Sequence, residues 1–181
     1  TKSGTRVKVK GKVSGNEILI SAPIEIISGI SKAAIVQDNL GPQSTLVIVA
    51  GIGDRPPPAN IETVRDLVFG EHSGTANDYY IKNSYGKVSI TGIVIGPYNL
   101  PSSIVRPNCD ENDILNEVIR RVDSDVDFRS FSRIILIVPS TQCDNAGGRG
   151  SIGKRIILTN DGEIRASVSW DYSLNLHVVG H

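Results

Sequence analysis

Basic and apolar residues alternate strictly over residues 6–13, Arg-Val-Lys-Val-Lys-Gly-Lys-Val. A period of two predicts a strand with Val7, Val9 and Val13 on one face and Arg6, Lys8, Lys10 and Lys12 on the other. Gly15-Asn16 predicts a tight turn, Glu17–Ile20 a second strand, and residues 24–27 a third short apolar run. A β module of this size is too small to hold a core alone. Its lysine-lined face reads as a solvated edge that blocks strand pairing rather than as a nucleic-acid surface. Residues 31–44 are mixed polar and include Gly41-Pro42, which predicts a linker.

The pattern changes at Thr45. Leu46-Val47-Ile48-Val49-Ala50 is a continuous, mostly β-branched run, as expected of a strand buried on both faces. Gly51 ends it, and Pro56-Pro57-Pro58 allows neither ladder nor helix to continue. Ile61, Val64, Arg65 and Val68 have helical spacing. Thr75 followed by Asp78 predicts a helix start, a hydroxyl for the free amides and an acid near the positive end. Tyr79, Tyr80 and Asn83 fall on adjoining positions of that helix, and residues 83–86 supply a stop; Tyr79, Tyr80 and Tyr85 are expected as core and cap residues. Residues 88–95 read as a strand.

The clearest helix follows Cys109. Ile114, Leu115, Val118, Ile119 and Val122 make an apolar stripe, with Asp110, Glu111 and Asp113 in the first turn and Arg120-Arg121 in the last. Residues 131–138 predict another buried strand and residues 147–150 a loop. Residues 154–159 and 164–170 predict two strands around the turn Asn160-Asp161-Gly162. The expected architecture is therefore α/β (α+β), a mixed twisted sheet with packed helices over residues 41–181. A small β module and linker over residues 1–40 precede it.

Composition narrows the function classes. Nineteen basic residues balance nineteen acidic ones, which argues against a general polyanion binder and hence against a nucleic-acid partner. No apolar run reaches the roughly 18 residues of a membrane span. The chain begins at Thr1 and contains no methionine, so a processed product or excised piece is expected, with any signal peptide upstream.

Three histidines are present, His72, His177 and His181. His72, in Gly70-Glu71-His72-Ser73-Gly74, reads as a polar surface residue. His177 and His181 are four apart and would share one face of a helix, as two zinc-binding imidazoles do. The zinc motif His-Glu-x-x-His, however, places a general-base glutamate after its first histidine. Here that position is Val178, so this pair is not a complete catalytic motif. The Gly147-Gly148-Arg149-Gly150 stretch lacks the Gly-Lys-Ser/Thr ending of a phosphate-binding loop, and no Gly-x-Ser-x-Gly elbow occurs. Cys109 and Cys143 are too far apart in sequence for a metal motif, leaving one disulfide or two buried thiols.

Several stretches in order resemble the gametolysin-like secreted zinc metallopeptidases of the metzincin clan. Residues 44–49 are similar to the opening strand of that family. Asn77-Asp78-Tyr79-Tyr80 with Asn83-Ser84-Tyr85-Gly86-Lys87 is similar to its helix-and-turn signature. Residues 133–139 followed by Cys143 are similar to its central strand. Residues 176–181 are similar to the lead into its zinc helix, where Val-Val-Gly-His continues as Glu-x-x-Gly-His. The likeness covers about residues 41–181. It implies that His181 is the first zinc ligand, that His177 is a helix-face residue, and that the general-base glutamate and remaining ligands lie beyond His181. It further implies a secreted zinc endopeptidase acting on polypeptide substrates by zinc-activated water, this fragment itself being inactive. An extracellular setting favours a Cys109–Cys143 disulfide, closing a loop of about 35 residues and contributing roughly 3 kcal/mol or slightly more. The family also implies that an edge strand ahead of the zinc helix pairs with substrate backbone, and residues 166–170 match it in sequence. Trp170, within them, reads as core packing. The alternative is a non-catalytic extracellular binding or adhesion domain on the same scaffold.

Overall fold

The structure is a computed structural model that describes residues 7–8, 11–14, 17–20, 25–26, 40–104, 111–139 and 147–172. The chain divides into two compact units, residues 1–38 and 39–181. In the first, β1 (Val7–Lys8) pairs antiparallel with β4 (Glu25–Ile26), and β2 (Gly11–Ser14) with β3 (Glu17–Ile20). Ser14 pairs with Glu17, and the turn expected at Gly15-Asn16 lies outside the described residues. The single strand expected over residues 6–13 is split instead, its two parts taking different partners.

Among the described residues, the second unit is a mixed sheet of six strands with three α-helices. Its strands are β5 (Gly41–Ile52), β6 (Val88–Leu100), β7 (Arg133–Ile137), β8 (Gly148–Gly150), β9 (Arg155–Thr159) and β10 (Gly162–Asp171). The spatial order is β6-β5-β7-β10-β8, with β9 also paired to β10. β5 runs parallel to β6 and β7, and β7 parallel to β10, whereas β8 and β9 lie antiparallel to β10. The helices are α1 (Ile61–Phe69), α2 (Ala76–Asn83) and α3 (Glu111–Val122).

β5 is fully buried along Leu46, Val47, Ile48 and Val49, as a β-branched run with partners on both edges should be. Alternation sends its side chains to two cores. Leu46, Ile48, Ala50 and Ile52 meet Ile134 and Leu136 of β7, Ala166, Val168 and Trp170 of β10, and the predicted stripe of α3. Val47 and Val49 meet Ile135 and Ile137 of β7 with Val64 and Val68 of α1, Ala76 of α2, and Ile90 and Val94 of β6. Helices therefore cover both faces, which is why the two central strands β5 and β7 carry unbroken apolar runs. β5 also begins earlier than expected: Gly41, Pro42 and Gln43 pair with Val88, Ser89 and Ile90, so the expected linker ends in the sheet. Gly92 has to be glycine because a methyl there would overlap the Thr45 carbonyl on β5.

Local chemistry around α2 explains its dense motif. The Thr75 hydroxyl accepts from the Asp78 N–H at 3.2 Å, the expected N-cap. Asn77 is buried, and its Oδ1 accepts the Ile90 N–H of the edge strand β6 at 3.0 Å. The Arg133 guanidinium lies 5.2 Å from the Tyr80 ring centroid, and its Nη1 donates to the Tyr80 hydroxyl at 3.3 Å. One short helix thus blocks a sheet edge and grips β7.

The helix stop differs from expectation in an informative way. Gly86 N–H bonds the Ile81 carbonyl and Tyr85 N–H the Lys82 carbonyl, a paired closure that puts the intervening residue in the left-handed region. That residue is Tyr85, with φ +56°, followed by Gly86 at +76°. Tyr85 caps the helix as expected but is 91% exposed, and Tyr79 is 55% exposed, so neither is a core residue. Of these three tyrosines, Tyr80 is the one that packs against a core.

Two stability changes follow from these caps. Asn77→Ala strands the buried Ile90 N–H and should cost about 1–3 kcal/mol. Tyr85→Gly removes left-handed strain and should gain up to about 1 kcal/mol. Chemical denaturation of both variants against the parent chain checks the opposite signs.

Candidate functional site

His177 and His181 lie outside the described residues, as do Cys109 and Cys143 with the disulfide expected of them. His72 is described and stands on the surface as expected. Its Nε2 is 3.0 Å from Asp66 Oδ2 and its Nδ1 3.3 Å from the Ser73 carbonyl. The hydrogen bond with Asp66, then that with Ser73, raises its pKa above the ordinary value.

The segment carrying His181 leaves from β10, ten residues after Asp171. Trp170, Asp171 and Tyr172 are all buried there. The Asp171 carbonyl accepts from Val138 N–H at 3.1 Å, and Tyr172 N–H donates to the Gly147 carbonyl at 2.9 Å. These bonds anchor the end of the strand between its neighbours. Trp170 is 3% exposed and is core, as expected. Arg155 lies 5.7 Å from its ring centroid and extends to Asn112 in the first turn of α3.

Residues 166–170 cannot be the substrate-pairing edge that the family resemblance implied. They are interior: Ser167 to Asp171 pair with Arg133 to Ile137 of β7, while Ser169 to Asp171 pair with β8 on the other side. A strand bonded on both sides has no free ladder to offer. The edge lies one strand further out. Residues 147–150, expected as a loop, contribute β8, because their backbone pairs with Trp170 and Asp171 even without a strand-like side-chain pattern. Ser151 N–H donates to the Val168 carbonyl at 2.8 Å, and Ser151 Oγ accepts from Val168 N–H at 3.0 Å. After a short bulge, β9 continues the pairing from Arg155, opposite Ala166, to Thr159, opposite Gly162.

Alternation along this ladder decides what β9 presents. Ser167 N–H points to β7, donating to Ser132, whereas Val168 N–H points to Ser151. Residues 162, 164 and 166 therefore bond β9 through Thr159, Ile157 and Arg155, and Ile156 and Leu158 direct their N–H and C=O groups outward. Their side chains are also open, 51% and 72% exposed, while Ile157 is buried. The strand expected over residues 154–159 forms as β9, but its own apolar run does not say which side chains are open. The missed signal is cross-strand: Ile156 faces Arg165 and Leu158 faces Glu163, so charged neighbours mark that face as solvated.

A groove of about 350 Å³ lies beside this edge, lined by Asn116, Ile119 and Asp123 of the α3 region and by Leu158, Thr159 and Asn160. Arg120 also lines it and is held by Glu117, which takes Arg120 Nη2 at 2.7 Å and Arg121 Nε at 2.7 Å. The Arg120 hydrogen bond, against the opposing effect of burial and with help from Arg121, lowers the Glu117 pKa from 4.5 to about 2.

Among the described residues, no group of three or more His, Cys, Asp or Glu side chains is placed to hold a metal ion. A catalytic zinc takes three protein ligands. The described residues by themselves do not make such a site. What they supply is a rigid sheet, an open peptide-pairing edge and an adjoining groove. Also among them, no helix is long and apolar enough to cross a membrane. No protein-family model matches the chain, and no curated protein matches it.

The depressed Glu117 pKa sets a pH dependence. Its contribution is complete above 4.5 and is lost as pH falls toward about 2. Unfolding measured across this window should show the parent chain more stable than Glu117→Gln near neutrality, with the gap closing as pH drops.

Proposed function

We propose that residues 41–181 are the amino-terminal part of the catalytic domain of a secreted zinc-dependent endopeptidase, with His181 as the first zinc ligand. The observation that carries this reading is the open edge formed by β8 and β9. It directly precedes, in sequence, the strand β10 that runs into the His181 segment. An edge strand ahead of the zinc helix is what the family resemblance implies, and polypeptide can add to it by backbone pairing. In this reading Ile156 and Leu158 supply the backbone partners and the groove beside α3 receives a substrate side chain. Zinc, the remaining ligands and the general base are assigned to sequence after His181, so the residues described here bind and orient substrate. Fold alone does not carry chemistry; the edge would equally serve a non-catalytic extracellular peptide-binding domain, and the test separates the two.

In a chain extended through the sequence following His181 in the parent protein, we expect one zinc per molecule and hydrolysis of a peptide library. A chelator or His181→Ala should abolish both. Peptide binding without zinc or chelator-sensitive cleavage would leave the binding-domain reading in its place.

A further inference from the structure

Beside the bulge between β8 and β9 lies a group of donors that the proposed peptidase does not use. Arg133 opens β7 and is paired in register with Ser167 of β10. Ser167 Oγ donates to the Gly153 carbonyl at 3.2 Å, so the next residue, Lys154, is carried to the same part of the sheet. On the helical side, the Tyr80 hydroxyl accepts from Arg133 Nη1 at 3.3 Å, leaving its own proton free to donate. Arg133 Nε is buried and has no hydrogen-bond partner.

The charge balance here is one-sided. Among the described residues, Lys154 makes no ion pair. Its pKa is lowered by partial desolvation and then by the Arg133 charge, with no carboxylate opposing either. The acid nearest in sequence on α2, Asp78, is held by Lys82 at 2.8 Å, and Asp66 of α1 is held by His72 at 3.0 Å. Glu163 and Arg165 project on β10 further toward the hairpin turn, opposite Leu158 and Ile156. Arg133 and Tyr80 are joined by a hydrogen bond, Lys154 lies near enough to feel the Arg133 charge, and among the described residues no carboxylate is paired with either cation. A guanidinium N–H buried in this way is an unmet demand for an anion.

We propose that Arg133, Lys154 and the Tyr80 hydroxyl form a binding site for a compact oxyanion, either a free phosphate-type ion or a carboxylate borne on a peptide. Arg133 is held by the Tyr80 ring and supplies a directed N–H. Lys154 sits on the exposed bulge and closes over the ion as a mobile point charge. The site stands on its own donors and does not depend on the chain being a peptidase.

The test is titration calorimetry on the full 181-residue chain at constant ionic strength in chloride, with inorganic phosphate and with capped aspartate as separate probes. Saturable binding in about the millimolar range is expected. Tighter binding of phosphate identifies the free ion, and tighter binding of capped aspartate identifies a peptide carboxylate. Lys154→Gln should weaken the preferred probe by roughly tenfold while leaving the melting temperature of the ion-free chain unchanged or raised, since a like-charge neighbour has been removed. Tyr80→Phe keeps the ring under Arg133 and should weaken binding without unfolding the chain. Absence of saturable binding by both probes overturns the proposal, as does equal binding by the parent chain and Lys154→Gln.

Discussion

β5 is hydrogen-bonded along both edges and buried on both faces, and the second unit is arranged to satisfy that one strand. Its neighbours on both edges, β6 and β7, run parallel to it, and parallel neighbours demand crossovers. The first crossover carries α1 and α2 over the face of Val47 and Val49; the second carries α3 over the face of Leu46 and Ile48. With no water on either side, each backbone group must find its partner in the sheet. Gly92 permits the close approach of β6 that this requires.

The two rims of the sheet are treated differently, and the difference bears on function. At β6, Asn77 takes the Ile90 N–H and α2 shuts that part of the edge. At the opposite rim, Ile156 and Leu158 turn their backbone groups away from β10, and their side chains are exposed. Open edges of this kind invite pairing, and natural proteins usually shield them. One unshielded rim beside a groove is the feature on which the peptide-binding reading rests. The donor group of Arg133, Lys154 and Tyr80 arises where the α1–α2 layer gives way to that rim.

Much of this was legible in the sequence because local periodicity and local chemistry agree. The α3 stripe, the Thr75 cap, the turn at Asn160-Asp161 and the runs at 46–50 and 134–138 all involve neighbours within a few residues. The Asn77-Asp78-Tyr79-Tyr80 motif was visible, but not the job of each residue. Asn77 and Tyr80 act on Ile90 and Arg133, which are remote in sequence. Tyr85 was placed in the cap, yet its exposure and positive φ follow from a closure that ordinarily selects glycine.

Sequence by itself determined the three helices, most of the described strands, the runs buried on two faces, and the mixed α/β class. Those properties depend on the spacing of apolar side chains, and spacing is written along the chain. Strand order was decided only by tertiary structure, because a backbone N–H carries no record of its partner. That order moved the free edge from residues 166–170 to β8 and β9, and turned a glycine-rich loop into a strand. It also brought Lys154 to Arg133 and left one side of the hairpin uncovered, since only distant pairing fixes which groups remain unmet.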